Sequence, residues 1–198
     1  MVCSVAWFHS DRILLEYNIE IPNIHATLLA KLVIKGFELL AISPSEIDLV
    51  TVATGPGSFT GLRIGMSYAK GFCYGLQKPI KGISNFDVLA CSAPINCKKI
   101  ITVIDARRNN YYMALFSTGS KKIETKRLVA KNELTRYVTE DTIIVANQPV
   151  SDIHLPVIHG RYGAGLICRI GLHTFLEAGA DAIESLEPSY MQPFAGVS

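Results

Sequence analysis

Thr51–Gly75, TVATGPGSFTGLRIGMSYAKGFCYG, carries the strongest structural signal in the chain. The β-branched residues of 49–53 predict a short strand, and Gly55-Pro56-Gly57 then ends that strand in a sharp turn. The spacing of the apolar residues after the turn predicts a helix from Phe59 to Leu76, with Ser58 or Thr60 as its N-cap. The segment therefore predicts a strand–turn–helix unit.

The turn has two interpretations that the residues alone leave open. It is either a structural connection or an anion site, because a glycine-rich turn before a helix presents free backbone amides. It is not a Walker A loop or a G-x-G-x-x-G dinucleotide loop, and Pro56 stands where a G-x-S-x-G elbow needs its first glycine. The residues that would contact an anion are Gly55, Gly57, Ser58, Thr60 and Arg63.

The predicted helix carries small residues at every fourth position. Gly57, Gly61, Gly65 and Ala69 share one side of it, and glycines in a helix interior cost about 1 kcal/mol each relative to alanine. Close packing at this side would offset that cost, against either a second helix or the protein's own sheet. The apolar residues around it, which supply a further packing surface, are Leu62, Met66, Phe72, Cys73 and Leu76.

A second amphipathic helix is predicted before this unit, over residues 24–40 with Asn23 as its N-cap. Ile34 and Leu39 fall outside its narrow apolar stripe, which indicates a helix with two buried sides. We expect the two helices together to bind a partner protein. The residues predicted to do so are Leu28, Leu32, Ile34, Gly61, Leu62, Gly65, Met66 and Ala69.

The remaining pattern indicates an α/β protein of two subdomains, residues 1–95 and 96–198. A β-hairpin is predicted over residues 2–21, and short strands at 80–83, 100–104, 111–116, 142–146 and 157–158. Further helices are predicted at 85–92, 131–138 and 161–178.

Composition narrows the class of protein. Hydrophobic residues make up 49% of the 198 and charged residues 18%, which is typical of a globular chain. The net charge of +2 is too small to indicate nucleic-acid binding by itself. The five cysteines lack C-x-x-C spacing, which argues against a zinc site or a disulfide frame and favours a reducing compartment.

GPGSFTGLRIG, followed by AKG and GISNFDVLA, resembles the signature of the TsaB (YeaZ) family. The Asp105-Ala106-Arg107-Arg108 segment and the Pro188-Ser189-Tyr190-Met191 segment are similar to further family motifs and follow in the same order. The match covers most of the chain, and its central motif is specific.

The resemblance implies an actin-like, sugar-kinase-like (ASKHA) fold and a subunit that acts as a partner rather than as a catalyst. The implied partners are a TsaD-like paralogue, which transfers threonylcarbamoyl to adenosine in tRNA, and a small TsaE-like ATPase. A homodimer is expected in isolation, contact with tRNA only through the complex, and a cytoplasmic location without membrane attachment. No cofactor is expected, with weak nucleotide binding confined to the assembled complex.

Two departures from the family pattern qualify these expectations. Family members begin with a strand and an I-D-T-S turn, whereas Met1 stands where that strand would end. We therefore expect a truncated first sheet, through a start site set too far downstream or a true loss. TsaD enzymes carry two metal-binding histidines four residues apart, and the matching positions here are Asn85 and Leu89. Since leucine has no donor atom, no metal and no catalytic residue is expected.

Other functions remain open at this stage. One is an enzyme, either a nucleotide-binding actin-like ATPase or a glycoprotease-like hydrolase. Another is a tRNA-binding module that uses Lys98, Lys99, Arg107 and Arg108. We interpret Asp105 and Arg107 as structural, the first capping a turn and the second pairing with a carboxylate, with a polar contact between subdomains as the alternative.

Overall fold

The computed structural model describes residues 2–20, 25–94, 97, 99–117, 123–150 and 153–191. The chain divides into two compact units, the first built from residues 1–84 with 162–188 and the second on residues 85–161. The predicted split at residues 95/96 differs from this division, because the last helix returns to pack in the first unit. The predicted helix start at Ile24, its cap Asn23 and the basic residue Lys98 lie outside the described residues.

The first unit opens with the predicted hairpin, strands β1 (Cys3–His9) and β2 (Arg12–Ile19), which pair antiparallel. Helix α1 (His25–Leu40) packs on β1 where Trp7 lies against Gly36. A Cβ atom at Gly36 would sit 1.9 Å from the Trp7 ring, so only glycine allows this approach. The indole is 6% exposed and meets the rings of Tyr17 and Phe37 edge to face.

The predicted strand–turn–helix unit is also present. Strands β3 (Val50–Gly55) and β4 (Ile80–Ser84) pair in parallel, and α2 (Phe59–Leu76) connects them. The helix packs on β3 through a small apolar core that includes Met66 and Cys73. A 3₁₀ turn at Pro44–Glu46 precedes β3 and carries a capping box, in which the Ser43 N–H donates to Glu46.

Helix α4, which is Ala164–Ala178, lies across both pairs of strands in this unit. Its Gly165 packs against Ile13 of β2, and its Gly171 against Thr51 of β3. Within the described ranges β1 pairs only with β2 and β3 only with β4, so the two pairs form separate sheets backed by one helix. Beyond α4, Asp181 accepts hydrogen bonds from Lys81 Nζ and Gly82 N–H, both at 2.8 Å, and closes the outer edge of β4.

The second unit contains α3 (Asn85–Ala90) and a five-stranded sheet. The strands are β5 (Lys99–Arg107), β6 (Asn110–Ser117), β7 (Ile123–Ala130), β8 (Thr142–Ala146) and β9 (Val157–His159). Their order in the sheet is β7-β6-β5-β8-β9, and a core that includes Ile101, Met113 and Leu134 lies on one face of it.

Two sequence predictions for the second unit need correction. Strand β7 was not predicted, because the polar run Glu124–Arg127 hides the alternation of this edge strand. The predicted helix at 131–138 is a 3₁₀ segment, Lys131–Tyr137, and only Leu134 among its residues is buried. A segment with one buried side chain lacks the apolar stripe that stabilises a packed α-helix.

None of the helices in the described ranges is long and apolar enough to cross a bilayer.

Candidate protein interface

The Gly55–Gly57 turn is built into the first unit by backbone contacts. Gly55 ends β3 with φ +95°, a conformation that favours glycine, and its carbonyl accepts a hydrogen bond from Ser84 Oγ at 3.3 Å. Gly55 and Pro56 are buried, whereas Gly57 is only half-buried. This glycine-rich turn therefore fixes the exit from the strand.

Ser58 is the N-cap of α2, and Thr60 is an exposed residue of its first turn. The Gly61 N–H donates to Ser58 Oγ at 3.3 Å, and the Leu62 N–H donates to the Ser58 carbonyl at 2.9 Å. The prediction of an N-cap at one of these two positions is confirmed for Ser58. The serine hydroxyl oxygen satisfies a free amide of the helix and so serves helix stability first.

The anion-contact interpretation of this turn stays a prediction. Arg63 lies beside the helix N-terminus, and its guanidinium carbon is 4.0 Å from the centre of the Phe59 ring. This cation–π contact holds an exposed arginine against the first turn. Positive charge and helix amides thus lie near each other, yet a helix N-terminus alone does not define a ligand.

The small-residue side of α2 divides into two environments. Ala69 is 7% exposed and packs into the core with Val52 and Ile80. A Cβ atom at Gly65, in contrast, would meet no described atom within 4 Å. The sequence left open whether these small residues pack on a second helix or on the protein's own sheet. Ala69 packs on the sheet, whereas Gly65 lies at an open surface.

Several residues predicted to bind a partner belong to the protein's own core. These residues are at most 9% exposed, so they offer a partner little surface, and their assignment to partner binding stays a prediction. The period of α2 offered two apolar sides, and the side that packs on β3 is the one with Leu62, Met66 and Ala69, whereas Leu32 is buried on α1. The predicted residues that are buried in this way are Leu32, Leu62, Met66 and Ala69.

The other predicted positions lie at or near the surface. Ile34 is 58% exposed, and it is two residues from Leu32, which places it on the opposite side of α1 from the core. Leu28 and Gly61 are half-buried. We define the α1–α2 face as Ile34, Gly61 and Gly65, together with the groove described next.

An apolar groove lies at the end of α1 and was not predicted from the sequence. Its volume is about 470 Å³, and Phe37 at its edge stacks on Phe72 of α2 with ring centres 6.0 Å apart. This aromatic pair ties the two helices together. The sequence held one signal for this groove, the apolar content of residues 37–42. The helical period explains these residues as the end of the helix and does not by itself indicate a groove. The groove is lined by Ile34, Phe37, Glu38, Ala41, Ile42, Ser43 and Pro44.

The two positions that would match metal ligands lie in α3. Asn85 begins the helix, and Leu89 is fully buried, with a side-chain methyl against Gly160. Across the described residues, no group of three or more His, Cys, Asp or Glu side chains is placed to hold a metal ion. The expectation of a chain without catalytic residues rests on residue identity and stays a prediction.

Asp105 forms an ion pair and not the turn cap that the sequence predicted. Asp105 Oδ1 lies 3.0 Å from Lys131 Nζ, and this hydrogen-bonded contact raises the pKa of the lysine. Arg107 is exposed, and in the part of the chain that the structure describes it has no carboxylate partner. Its predicted ion pair is therefore absent from the described residues.

Comparison with known proteins identifies related sequences. Residues 21–147 match the family model described as TsaD: tRNA N6-adenosine threonylcarbamoyltransferase. The TsaB threonylcarbamoyladenosine biosynthesis protein of Bacillus subtilis is 30% identical over 120 residues, which are 61% of this chain and 52% of that protein. The Escherichia coli TsaB protein is 28% identical over 137 residues, 67% of this chain and 59% of that protein. The chain thus spans about half the length of the curated relatives it matches.

Solved structures with the same fold are also found. YeaZ from Pseudomonas aeruginosa superimposes with a TM-score of 0.78 at 20% identity, covering 96% of this chain and 94% of that one. A second P. aeruginosa structure, of an uncharacterized protein with similarity to peptidase YEAZ, has a TM-score of 0.77 with the same coverage. These likenesses confirm the predicted α/β fold of the actin-like class.

Proposed function

Because the chain belongs to the TsaD family and, within it, to the TsaB (YeaZ) type, we propose that it is a non-catalytic partner of a TsaD-like enzyme. In this role it would bind and activate that enzyme in the threonylcarbamoyladenosine modification of tRNA. A TsaE-like ATPase would join the pair, and tRNA would reach the chain within the assembled complex. These reactions belong to the cytoplasm, where the free cysteines would stay reduced.

The α1–α2 face is the observation that carries this proposal. Ile34 exposes 58% of its surface beside an open groove, and its burial by a partner would contribute about 1–2 kcal/mol. Gly65 leaves room for a second helix to approach the backbone of α2 closely. Two helices with these features suit a paralogue that presents the same pair, which would form a four-helix interface. A homodimer through this face is expected when the paralogue is absent.

The serine hydroxyls in and near the Gly55–Gly57 turn support a role without catalysis. Ser58 Oγ accepts from the Gly61 amide, and Ser84 Oγ donates to the Gly55 carbonyl. A nucleophilic serine instead needs its hydroxyl directed at a general base. We expect the purified chain alone to show no threonylcarbamoyl transfer and no peptide hydrolysis. Turnover that a point substitution in this chain abolishes would contradict that expectation.

Co-elution with the cognate TsaD-like protein tests the interface. Gly65→Leu should abolish co-elution, because the new side chain fills the space that the partner helix needs. Gly71→Leu is the matched control, since a Cβ at Gly71 also meets no described atom within 4 Å and six residues rotate it about 120° away from Gly65. Both variants should keep the wild-type circular dichroism spectrum.

Ile34→Glu provides a second, independent probe of the same face. A charge on an exposed side chain leaves the fold intact but places an unpaired carboxylate in the complex. If Gly65→Leu and Ile34→Glu both bind with wild-type affinity, the partner surface lies elsewhere. Met66→Glu is unsuitable for this purpose, because Met66 is 3% exposed and the change would unfold the first unit.

A further inference from the structure

The turn between β5 and β6 has an unusual backbone for its sequence. Arg108 and Asn109 form a two-residue loop between the paired residues Arg107 and Asn110. The φ angles are +62° at Arg107, +46° at Arg108 and +61° at Asn109. Two-residue hairpin loops of this kind favour Asn-Gly or Asp-Gly, because a positive φ is unfavourable for residues with larger side chains. Two arginines here oppose the local preference of the chain.

The β1–β2 hairpin offers an internal comparison. Its two-residue loop also has positive φ values, +47° at Ser10 and +62° at Asp11. Short polar side chains of this type can hydrogen-bond to the nearby backbone and so tolerate the turn. Both loop residues of the first hairpin are thus favourable. In the second hairpin Asn109 is favourable, whereas the other two residues with a positive φ are Arg107 and Arg108.

The backbone of the arginine turn is fixed while its guanidinium groups are not. The Arg108 carbonyl accepts from Asn110 Nδ2, and the Asn109 carbonyl accepts from the Lys131 N–H, both at 3.0 Å. Over the described ranges, neither Arg107 nor Arg108 has an ion pair or side-chain hydrogen bond, and both are exposed.

Two other cationic side chains of the same unit, in contrast, form ion pairs. Lys131 pairs with Asp105, and Arg136 contacts Glu133 at 2.7 Å. The two arginines of the turn therefore present two free positive charges from a fixed position, with no described acid to neutralise them.

Charge is distributed unevenly along the chain. Residues 85–161, which form the body of the second unit, contain eleven Lys and Arg against seven Asp and Glu. The rest of the chain contains eight against ten. The overall net charge of +2 therefore combines a unit near +4 with a remainder near −2. A polyanion is attracted to the second unit, and the arginine turn extends from its sheet.

We propose that Arg107 and Arg108 bind the phosphate backbone of RNA directly. A guanidinium donates two parallel hydrogen bonds to a phosphate, and a fixed turn loses little freedom when it does so. Identification of the RNA as the tRNA substrate rests on the proposed function; the phosphate contact itself rests on the turn and the charge distribution. Contact with tRNA is then a property of this chain and not only of its assembled complex.

The test is fluorescence anisotropy of the full chain with a labelled, unmodified tRNA transcript at several salt concentrations between 50 and 200 mM. The variant combines Arg107→Asn with Arg108→Gly, residues that suit a positive φ. Loss of two phosphate contacts should make the slope of log affinity against log salt shallower by about 1.4 to 1.8. The melting temperature should stay the same or rise, because the turn becomes locally favourable.

Arg12→Asn is the matched control, an exposed arginine that directly follows the comparable turn of the β1–β2 hairpin. It should leave both tRNA affinity and the salt slope unchanged. Binding to a TsaD-like protein is measured separately, so loss of the interface and loss of the RNA contact are distinguishable.

Three outcomes would overturn the proposal. A lower melting temperature of the double variant would assign the arginines a structural role. Wild-type affinity and salt slope in the double variant, or no measurable tRNA binding by the wild-type chain, would remove the RNA contact. Loss of assembly with the TsaD-like protein at unchanged tRNA binding would identify an acidic protein surface as the true ligand of the turn.

Discussion

Two glycines in neighbouring helices show how the surroundings of a single residue determine its role. Gly36 of α1 lies under the Trp7 ring, where a Cβ atom would overlap the indole. Gly65 of α2 faces open space, and a Cβ atom there meets nothing within 4 Å among the described residues. Sequence spacing treats both as weak helix formers, whereas the structure makes one a packing requirement and the other an opening at the surface.

Alanine at each position should therefore change stability in opposite directions. Gly65→Ala should raise the free energy of unfolding by up to about 1 kcal/mol, because alanine is the better helix former. Gly36→Ala should lower it by about 1–3 kcal/mol, since Trp7 would be forced out of its position. Urea denaturation followed by circular dichroism measures both. A destabilised Gly65→Ala variant would mean that this side of α2 is already packed.

At the level of the secondary-structure element, α2 combines a strong start with a weak interior. Ser58 caps its first turn, and its buried side includes Leu62, Met66 and Cys73. Its glycines have a low helix propensity, and because they lack side chains they bury no apolar surface that would offset it. The helix consequently depends on its cap and on β3, which leaves the opposite side free for another protein.

Removal of the cap should have a measurable cost. Ser58→Ala should destabilise the chain by about 1 kcal/mol, because the Gly61 amide loses its acceptor. Ser58→Asp should restore most of that loss, since a carboxylate caps equally well and is favoured at the positive end of the helix dipole. Thermal unfolding of the three proteins at pH 7 is the comparison. Equal melting temperatures for wild type and Ser58→Ala would show that water replaces the serine without cost.

Elements with a clear period and a strong start could be predicted from the sequence. The bounds predicted for α2 are those observed, because apolar spacing, the preceding turn and the cap all agree. Strand β7 could not be predicted, since an edge strand needs only one apolar side and here its polar residues are consecutive. The place of Ile34 outside the apolar stripe predicted a second buried side of α1, whereas Ile34 is 58% exposed in the chain by itself. The buried position of Met66 could not be predicted, because the period of α2 cannot say which of two apolar sides meets the sheet.

On the scale of the whole molecule, the chain consists of two units with separate cores and opposite net charge. The first unit carries the proposed protein interface, and the second carries the arginine turn. Protein binding and RNA contact are thereby assigned to different parts of one polypeptide. Substitutions in one unit should leave the function proposed for the other intact.

The cysteines provide a test of packing across both units. Cys73 is fully buried, and burial raises the pKa of its thiol to about 11, so it should hardly react at pH 8 in the folded protein. Cys91 is exposed and should react first with iodoacetamide. Because a raised pKa keeps the thiol protonated, labelling of Cys73 should increase as pH rises towards 11 or after unfolding. Peptide mass spectrometry gives the order, and early labelling of Cys73 would contradict the packing of α2 on β3.

The contact between Trp7 and Gly36 has an optical consequence. Trp7 is the single tryptophan of the chain, so all indole emission comes from one ring packed under α1. Phe37, which meets that ring edge to face, also stacks on Phe72 of α2. A partner that shifts either helix should therefore alter the wavelength or the lifetime of this emission. The chain carries its own fluorescent reporter beneath α1, on the side away from Ile34, and a tryptophan-free partner could be titrated against it without any label.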